Sequence, residues 1–345
     1  MKTKEKKIGF AIVLFLAITF WFCMGGIHVS RAEQQGQKES EQTMAVTTAP
    51  AITETPERIV VVTWGKKTAS VKAGKKYTFQ VNADGKKVSA TNVTWSVSNT
   101  KYATISKKGV LKGKQMGTVT VKAKYAETTL RCKVKIKPKK IIGIDAGHQA
   151  AANSGLEPIG PGASTKKAKV AGGTCGVSSK VPEYQFTLTV AKALKKELVS
   201  RGYQVVMTRT KNDVNISNKE RAVKINESGA DICIRIHGDG GASSAKGACA
   251  LYPSTRNPYV GKLSKKSLKL SKAIMNTYCK ETGINNRGCV QRDDLTGTNW
   301  STVPVTLIEL GFMTNPSEDR YMQSATGQKA MVKGLADGID DYYGY

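Results

Sequence analysis

Two short apolar runs, each leading into a histidine, constrain this chain more than any other feature. Ile141–Asp145 is followed by Ala146-Gly147-His148, and Ile232–Ile236 by His237. Near-continuous apolar runs of this length mark strands covered on both faces, the usual state of parallel strands. Around them the pattern alternates. Tyr184–Ser200 carries Phe186, Val190, Leu194 and Leu198 at helical spacing, and Tyr203–Met207 reads as a strand. Ser217 and Glu220 form a capping box opening a helix with Ala222, Val223 and Ile225, and Gly229 ends it. Ala248–Tyr252 and Val305–Ile308 read as strands, Leu263–Cys279 and Gly327–Tyr342 as helices. From Lys139 onward this predicts an α/β domain, a mainly parallel open sheet flanked by helices. Chemistry in such sheets gathers at the carboxyl ends of the strands.

The residue types at those ends are informative. His28 lies near the N-terminus, and the other two histidines, His148 and His237, both leave the same predicted sheet edge. Gly147 precedes one and Gly238 follows the other, which lets backbone approach an ion or substrate. Glu183 opens the helix that starts near Tyr184, where the helix dipole alone would favour a carboxylate. Glu309 ends the apolar run Val305–Ile308, and a carboxylate there is costly unless paired or bound to metal. Two imidazoles and one carboxylate make a hydrolytic zinc set, with a further carboxylate as base. Arg209 and Asp213 read as an ion pair organising a loop. The seven cysteines are too sparse for a disulfide scaffold, and no C-x-x-C pair occurs. Cys233 reads as core, and a disulfide among the others is left open.

Residues 58–138 have a different texture. Ile59–Val62, Tyr77–Val81, Val93–Val97, Thr118–Lys124 and Cys132–Ile136 are short and β-branched, and Gly and Asn/Asp turns separate them. With no helical periodicity, this spacing predicts a small all-β sandwich, with Trp95 in its core. Between Arg58 and Lys140 there are 21 Lys and Arg against Asp84 and Glu127, an excess of +19 within a chain of net charge +28. Lysines on exposed strands can simply solvate them. An excess of this size exceeds what solubility needs and favours a polyanionic partner.

The N-terminus narrows the choice of partner. Lys2, Lys4, Lys6 and Lys7 precede the apolar run Ile8–Met24, and Ser30-Arg31-Ala32 follows. This describes a secretory signal over residues 1–32, cleaved after Ala32; the other reading is a membrane anchor through residues 8–24. Either way the remainder is exported, to the extracellular space or cell wall, which argues against nucleic acid. Residues 33–57, rich in Gln, Glu, Thr, Ala and Pro, read as a flexible linker.

Two resemblances sharpen this reading. Trp95-Ser96-Val97-Ser98-Asn99, Ala103-Thr104-Ile105-Ser106, Gly109-Val110-Leu111 and Gly117-Thr118-Val119-Thr120-Val121 resemble the bacterial immunoglobulin-like group 2 family. In residues 139–345, Ile142-Gly143-Ile144-Asp145-Ala146-Gly147-His148, Glu157-Pro158-Ile159-Gly160-Pro161-Gly162, Val181-Pro182-Glu183-Tyr184, Ile234-Arg235-Ile236-His237 and Pro304 through Asn315 stand out. They resemble the type 3 zinc-dependent N-acetylmuramoyl-L-alanine amidase family. The resemblance implies Zn2+ held by His148, Glu183 and His237, Glu309 as the catalytic residue, and peptidoglycan as substrate. Gln149, Arg235 and Asp239 depart from the frequent family residues and bear on substrate preference. The implied enzyme cuts the amide between N-acetylmuramic acid and L-alanine. The competing readings are a wall-binding or adhesion protein with an inactive hydrolase domain, and a zinc peptidase or deacetylase on the same polymer.

Overall fold

The computed structural model describes residues 62–345. The signal or anchor segment, the linker and most of the run Ile59–Val62 lie outside the described residues. Among the described residues no helix is long and apolar enough to cross a membrane.

The first ten strands are β1 (Val62–Thr63), β2 (Thr68–Lys72), β3 (Lys76–Thr78), β4 (Asn82–Ala83), β5 (Lys86–Lys87), β6 (Thr94–Val97), β7 (Ala103–Ile105), β8 (Val110–Gly113), β9 (Gly117–Tyr125) and β10 (Thr128–Lys137). They form a four-stranded sheet, β2-β10-β9-β6, with two three-stranded sheets, β3-β8-β7 and β1-β4-β5. Alternation decides which side faces in. Cys132, Val134 and Ile136 of β10 and Val119, Val121 and Ala123 of β9 are buried, while the residues between them point outward. Trp95 is half-buried rather than enclosed, packed against the sandwich core with its indole N–H donating to the Ala90 carbonyl at 3.0 Å. A Cβ on Gly109, where φ is +69°, would stand 2.7 Å from the Trp95 ring, so this turn needs glycine twice over.

Beyond the sandwich come β11 (Ile141–Ala146), β12 (Asn153–Pro158), β13 (Lys166–Val170), α1 (Glu183–Ser200), β14 (Gln204–Met207), α2 (Asn218–Glu227), β15 (Ile232–Asp239), β16 (Ala248–Tyr252), α3 (Ser264–Thr282), β17 (Asn286–Gln291), α4 (Thr296–Asn299), β18 (Val305–Phe312), α5 (Pro316–Gln323) and α6 (Ala325–Tyr343). The central sheet has the order β14-β11-β15-β18-β16-β17. The first four strands are mutually parallel, and β16 pairs antiparallel with β18 and parallel with β17. The sheet is therefore mixed at one edge. The edge strand β17, with Asn286, Arg287, Gly288 and Gln291 among its six residues, carries no apolar run by which to foresee it.

The capping box at α2 is present in both directions: Glu220 N–H to Ser217 Oγ at 3.2 Å, and Ser217 N–H to Glu220 Oε2 at 2.7 Å. Gly229 follows the helix with φ +70°. The six described cysteines are free thiols, so no disulfide forms among them. Burial pushes Cys233 up to about 12 and Cys249 and Cys279 up to about 11, far from nucleophilic thiolates.

The core of this domain is built from β11, β15 and β18 packed under α1, α3 and α6. Helices α3 and α6 cross almost backbone to backbone. A Cβ on Gly334 would lie 2.7 Å from Tyr278 Cα, and one on Gly338 2.5 Å from Ile274 Cα. Gly338→Val should therefore force the helices apart and lower stability by at least about 1–3 kcal/mol, the range for overpacked cores. Denaturant unfolding of the full chain measures it; an unchanged midpoint would mean the helices can separate freely.

Candidate active site

Strands β11 and β15 are adjacent and parallel, with Ala146 beside Ile236. Their carboxyl ends therefore bring His148 and His237 to one place, as the sequence predicts. Glu183, the first residue of α1, completes the group. Its Oε1 lies 3.1 Å from His148 Nε2 and 3.0 Å from His237 Nδ1, and these nitrogens are 3.1 Å apart.

The surroundings hold these three side chains in place. His148 sits in the left-handed region at φ +58°, a conformation costly for a non-glycine residue. Two buried arginines grip the backbone on either side of it. Arg221 donates to the carbonyls of Ala146 at 2.8 Å and His148 at 2.9 Å. Arg209 donates to those of Ala146 and Gly147, both at 2.9 Å, and to Tyr184 at 2.7 Å. Arg209 is therefore no partner of Asp213: buried beneath the turn, it donates to carbonyls and to Asn212 Oδ1 at 3.0 Å. Gly147 is needed for space, since a Cβ there would fall 2.4 Å from His237 Cε1.

Asp145 anchors the arrangement from below. It is 2% exposed and accepts from Arg221 Nη1 and Arg235 Nε, both at 3.0 Å, and from Thr208 Oγ1 at 2.7 Å. Burial alone would raise its pKa, but the two guanidinium charges outweigh it and hold the carboxyl far below the usual range. Sequence reasoning passes over Asp145 because its strand is otherwise apolar and its partners are scattered. Arg235, noted in the sequence as a departure, turns out to be half of this ion pair.

The three candidate ligands fit a metal ion. All lie within 4.8 Å of one another. A tetrahedral zinc ion with ligands at ~2.0–2.2 Å holds them roughly 3.3 Å apart, close to the spacings here. The outer contacts suit ligation as well. His148 Nδ1 pairs with the Ala171 carbonyl at 2.8 Å, which turns Nε2 toward the other two. Glu183 accepts from Thr174 N–H at 2.9 Å through Oε2 and from Gly238 N–H at 3.1 Å through Oε1. Burial raises a carboxyl, but the hydrogen bonds from both rings hold Glu183 well below the usual range. At His237 burial wins and pushes the imidazole down, whereas at His148 Glu183 outweighs burial and holds it up.

Glu309 lies on β18 directly across from His237 on β15. Its Oε2 is buried and has no hydrogen-bond partner. Burial pushes the carboxyl up to about 8, with the charges of Glu183 and Asp239 adding to it and Arg235 and Arg287 opposing. Beside these groups opens a cleft of about 330 Å³ lined by His148, His237, Arg235, Asn218 and Leu307. One rim is the hairpin β12–β13, absent from the sequence reading, whose Lys167 pairs with Asp294 at 2.7 Å. Its lysine-rich strand and the partner, which carries Gly155 and Pro158, show no clear period-2 pattern.

Two imidazole nitrogens, a carboxylate and an orphaned second carboxylate at the carboxyl edge of an α/β sheet are the donor set of a metal-assisted hydrolase. Comparison with known proteins names the family. Residues 142–341 match the family model for N-acetylmuramoyl-L-alanine amidase, and residues 61–134 that for the bacterial Ig-like domain (group 2). The first match spans more than half of the chain, so the chain belongs to the N-acetylmuramoyl-L-alanine amidase family. It is similar to the N-acetylmuramoyl-L-alanine amidase Rv3717 of Mycobacterium tuberculosis, 28% identical over 209 residues, which are 58% of this chain and 84% of that one. It is 27% identical to the probable cell wall amidase LytH of Staphylococcus epidermidis over half of this chain and 54% of that one. The crystal structure of the amidase Ami1 from Mycobacterium smegmatis matches with a TM-score of 0.55 at 26% identity, covering 60% of this chain and 98% of that one. The protein is accordingly a peptidoglycan hydrolase of the amidase class.

The raised carboxyl of Glu309 has a measurable consequence in metal-free protein. The folded state keeps this proton up to about pH 8, whereas the unfolded chain releases it near the ordinary value of 4.5. The unfolded state is thus favoured increasingly as pH rises between these values, and stability falls. In chelator-treated protein, Glu309→Gln should flatten the decline in unfolding free energy between pH 5 and 8 relative to wild type. Parallel curves would mean that Glu309 ionises normally.

Proposed function

We propose that the protein is an exported zinc amidase that cleaves the bond between N-acetylmuramic acid and L-alanine, with His148, Glu183 and His237 as metal ligands and Glu309 as the catalytic residue. The observation that carries this is the convergence of the three donors at about 3 Å from one another, with Glu309, whose buried Oε2 has no partner, one strand away. When bound, zinc lowers the pKa of water and polarises a carbonyl. Glu309, with its high proton affinity, takes the proton of the attacking water and returns it to the leaving amine of L-alanine. The Ala171 carbonyl keeps His148 in the ligating tautomer, and Arg221 and Arg209 keep its backbone turn in place.

The proposed organisation is a signal peptide or anchor over 1–32, a linker over 33–57, an immunoglobulin-like sandwich over 58–138 and the amidase domain over 139–345. The sandwich would hold the enzyme at anionic wall material, where tethering raises the effective concentration of scissile bonds. The names of the similar cell wall amidases support action at the cell wall.

Three measurements check this reading. The full chain should hold about one zinc ion, and His148→Ala or His237→Ala should lose it together with activity. Full activity after exhaustive chelation would contradict the metal assignment. Glu309→Gln should keep the metal but lose ~10²–10⁴ in rate, the usual worth of a general base. Glu183→Gln should weaken both, and the reverse pattern would exchange the two roles. Digestion of purified peptidoglycan should release new L-alanine amino termini and free lactyl groups; new termini elsewhere in the peptide, or acetate, would instead identify a peptidase or a deacetylase.

A further inference from the structure

The excess charge of the sandwich is not spread evenly. On the sheet β2-β10-β9-β6, Arg131, Lys133, Lys135 and Lys137 stand in one row along β10, with Lys122 and Lys124 beside them on β9. Every other outward position on the four strands is Lys72 or a serine or threonine. No acidic and no apolar side chain points from this face. Glu127, near Lys124 at 3.8 Å, sits in the turn beyond its end and is almost fully exposed.

Protection of sheet edges does not account for this pattern. Edge lysines discourage strand addition, but the edges here are β2 and β6, and β6 carries no cation at all. The cations are concentrated on the two central strands, β10 and β9. Two pairs oppose directly: Arg131 faces Lys122 between the central strands, and Lys137 faces Lys72 across the β2 pairing. Like charges placed opposite each other destabilise a sheet, and an anion lying between them relieves that repulsion.

We propose that this outer face is a docking surface for a linear phosphodiester polymer of the cell wall, lying along β10. The inference rests on the reading above that the sandwich holds the enzyme at anionic wall material, and it identifies the face and the partner's chemistry. Alternate residues of a strand are ~6.7 Å apart, so β10 presents a regular row of cations suited to a chain with one charge per repeat. The flanking hydroxyls, among them Thr68 and Thr120 on either side of Lys133, can hydrogen-bond phosphate oxygens or polyol hydroxyls. A lipid surface is the weaker match, because membrane-binding faces combine cations with apolar residues that insert, and this face has none.

The test uses full-length protein, poly(glycerol phosphate) chains, vesicles containing phosphatidylglycerol, and peptidoglycan stripped of phosphate polymers. The triple variant Arg131→Gln, Lys133→Gln, Lys135→Gln should bind the polymer roughly a hundredfold more weakly, from about fivefold per cation at an anionic surface. Lys86→Gln, Lys107→Gln, Lys108→Gln removes equal charge elsewhere on the sandwich and should leave binding nearly intact. Thr120→Glu guards against misfolding: its carboxylate pairs with Lys133 across the strands, so the melting temperature should hold or rise while polymer binding falls. Equal loss in both triple variants, or vesicle binding without polymer binding, would overturn the proposal. Wild-type protein that binds no polymer at low salt would also overturn it. Hydrolysis of stripped peptidoglycan should be unchanged in every variant; failure of wild type to hydrolyse it would instead refute the amidase reading and leave the docking face standing.

Discussion

The site depends on a buried carboxylate, Asp145, held between two buried guanidinium groups. Arg221 spends one nitrogen on Asp145 and the carbonyl of Ala146 and another on the carbonyl of His148, while Arg235 closes the carboxylate from the other side. Such a triad is expensive to desolvate, and apolar replacements of equal volume are often as stable. What it contributes is position. The left-handed turn at His148 is unfavourable, and the hydrogen bonds from Arg221 and Arg209 to three successive carbonyls hold it in place. Loss of one charged partner would leave another buried and unpaired, at a cost of about 3–5 kcal/mol.

Above that foundation two glutamates are driven in opposite directions. Glu183 receives hydrogen bonds from two backbone amides and two imidazoles and stays ionised. Glu309, one strand away, has a buried oxygen without a partner and is pushed toward its protonated form by burial and by Glu183 itself. Pairs of titratable groups separated in this way divide a site between a permanent charge and a proton carrier. In the proposed mechanism the ligand Glu183 must remain anionic, whereas Glu309, as the base that returns its proton, benefits from a pKa near the working pH.

The sandwich applies electrostatics over a larger area. Its inward positions are as apolar as a core requires, and its outward positions on one sheet are cationic or hydroxylated without exception. Nothing in folding calls for that uniformity, since mixed charges would solvate the sheet equally well and repel less. On the proposed reading the catalytic cleft cleaves the bond and the charged sheet holds the enzyme at an insoluble, anionic substrate.

Much of this was legible in the residues. Apolar runs, helical stripes and the Ser217–Glu220 capping box are local signals, so the alternating α/β order, the sandwich and the two histidines at parallel strand ends could be read directly. Glu309 was conspicuous because a carboxylate closing an apolar run is costly. The +19 excess was a matter of counting. Other features existed only after folding. The roles of Asp145, Arg209 and Arg235 depend on partners from four separate strands and helices, and no spacing along the chain records them. Arg209 looked like a partner for Asp213 because sequence proximity is all a sequence offers; the fold turned it toward carbonyls of β11 and α1. The hairpin β12–β13 pairs only with itself and carries no alternating pattern, and the reversed direction of the edge β16–β17 is set by pairing with β18 rather than by composition. The sequence alone determined which residue types were present, their local periodicity and their total charge. Tertiary structure decided which of them touch, and therefore which carboxylate is ionised, which arginine holds the backbone and which face of the sandwich carries the charge, because burial and opposite charge act through space.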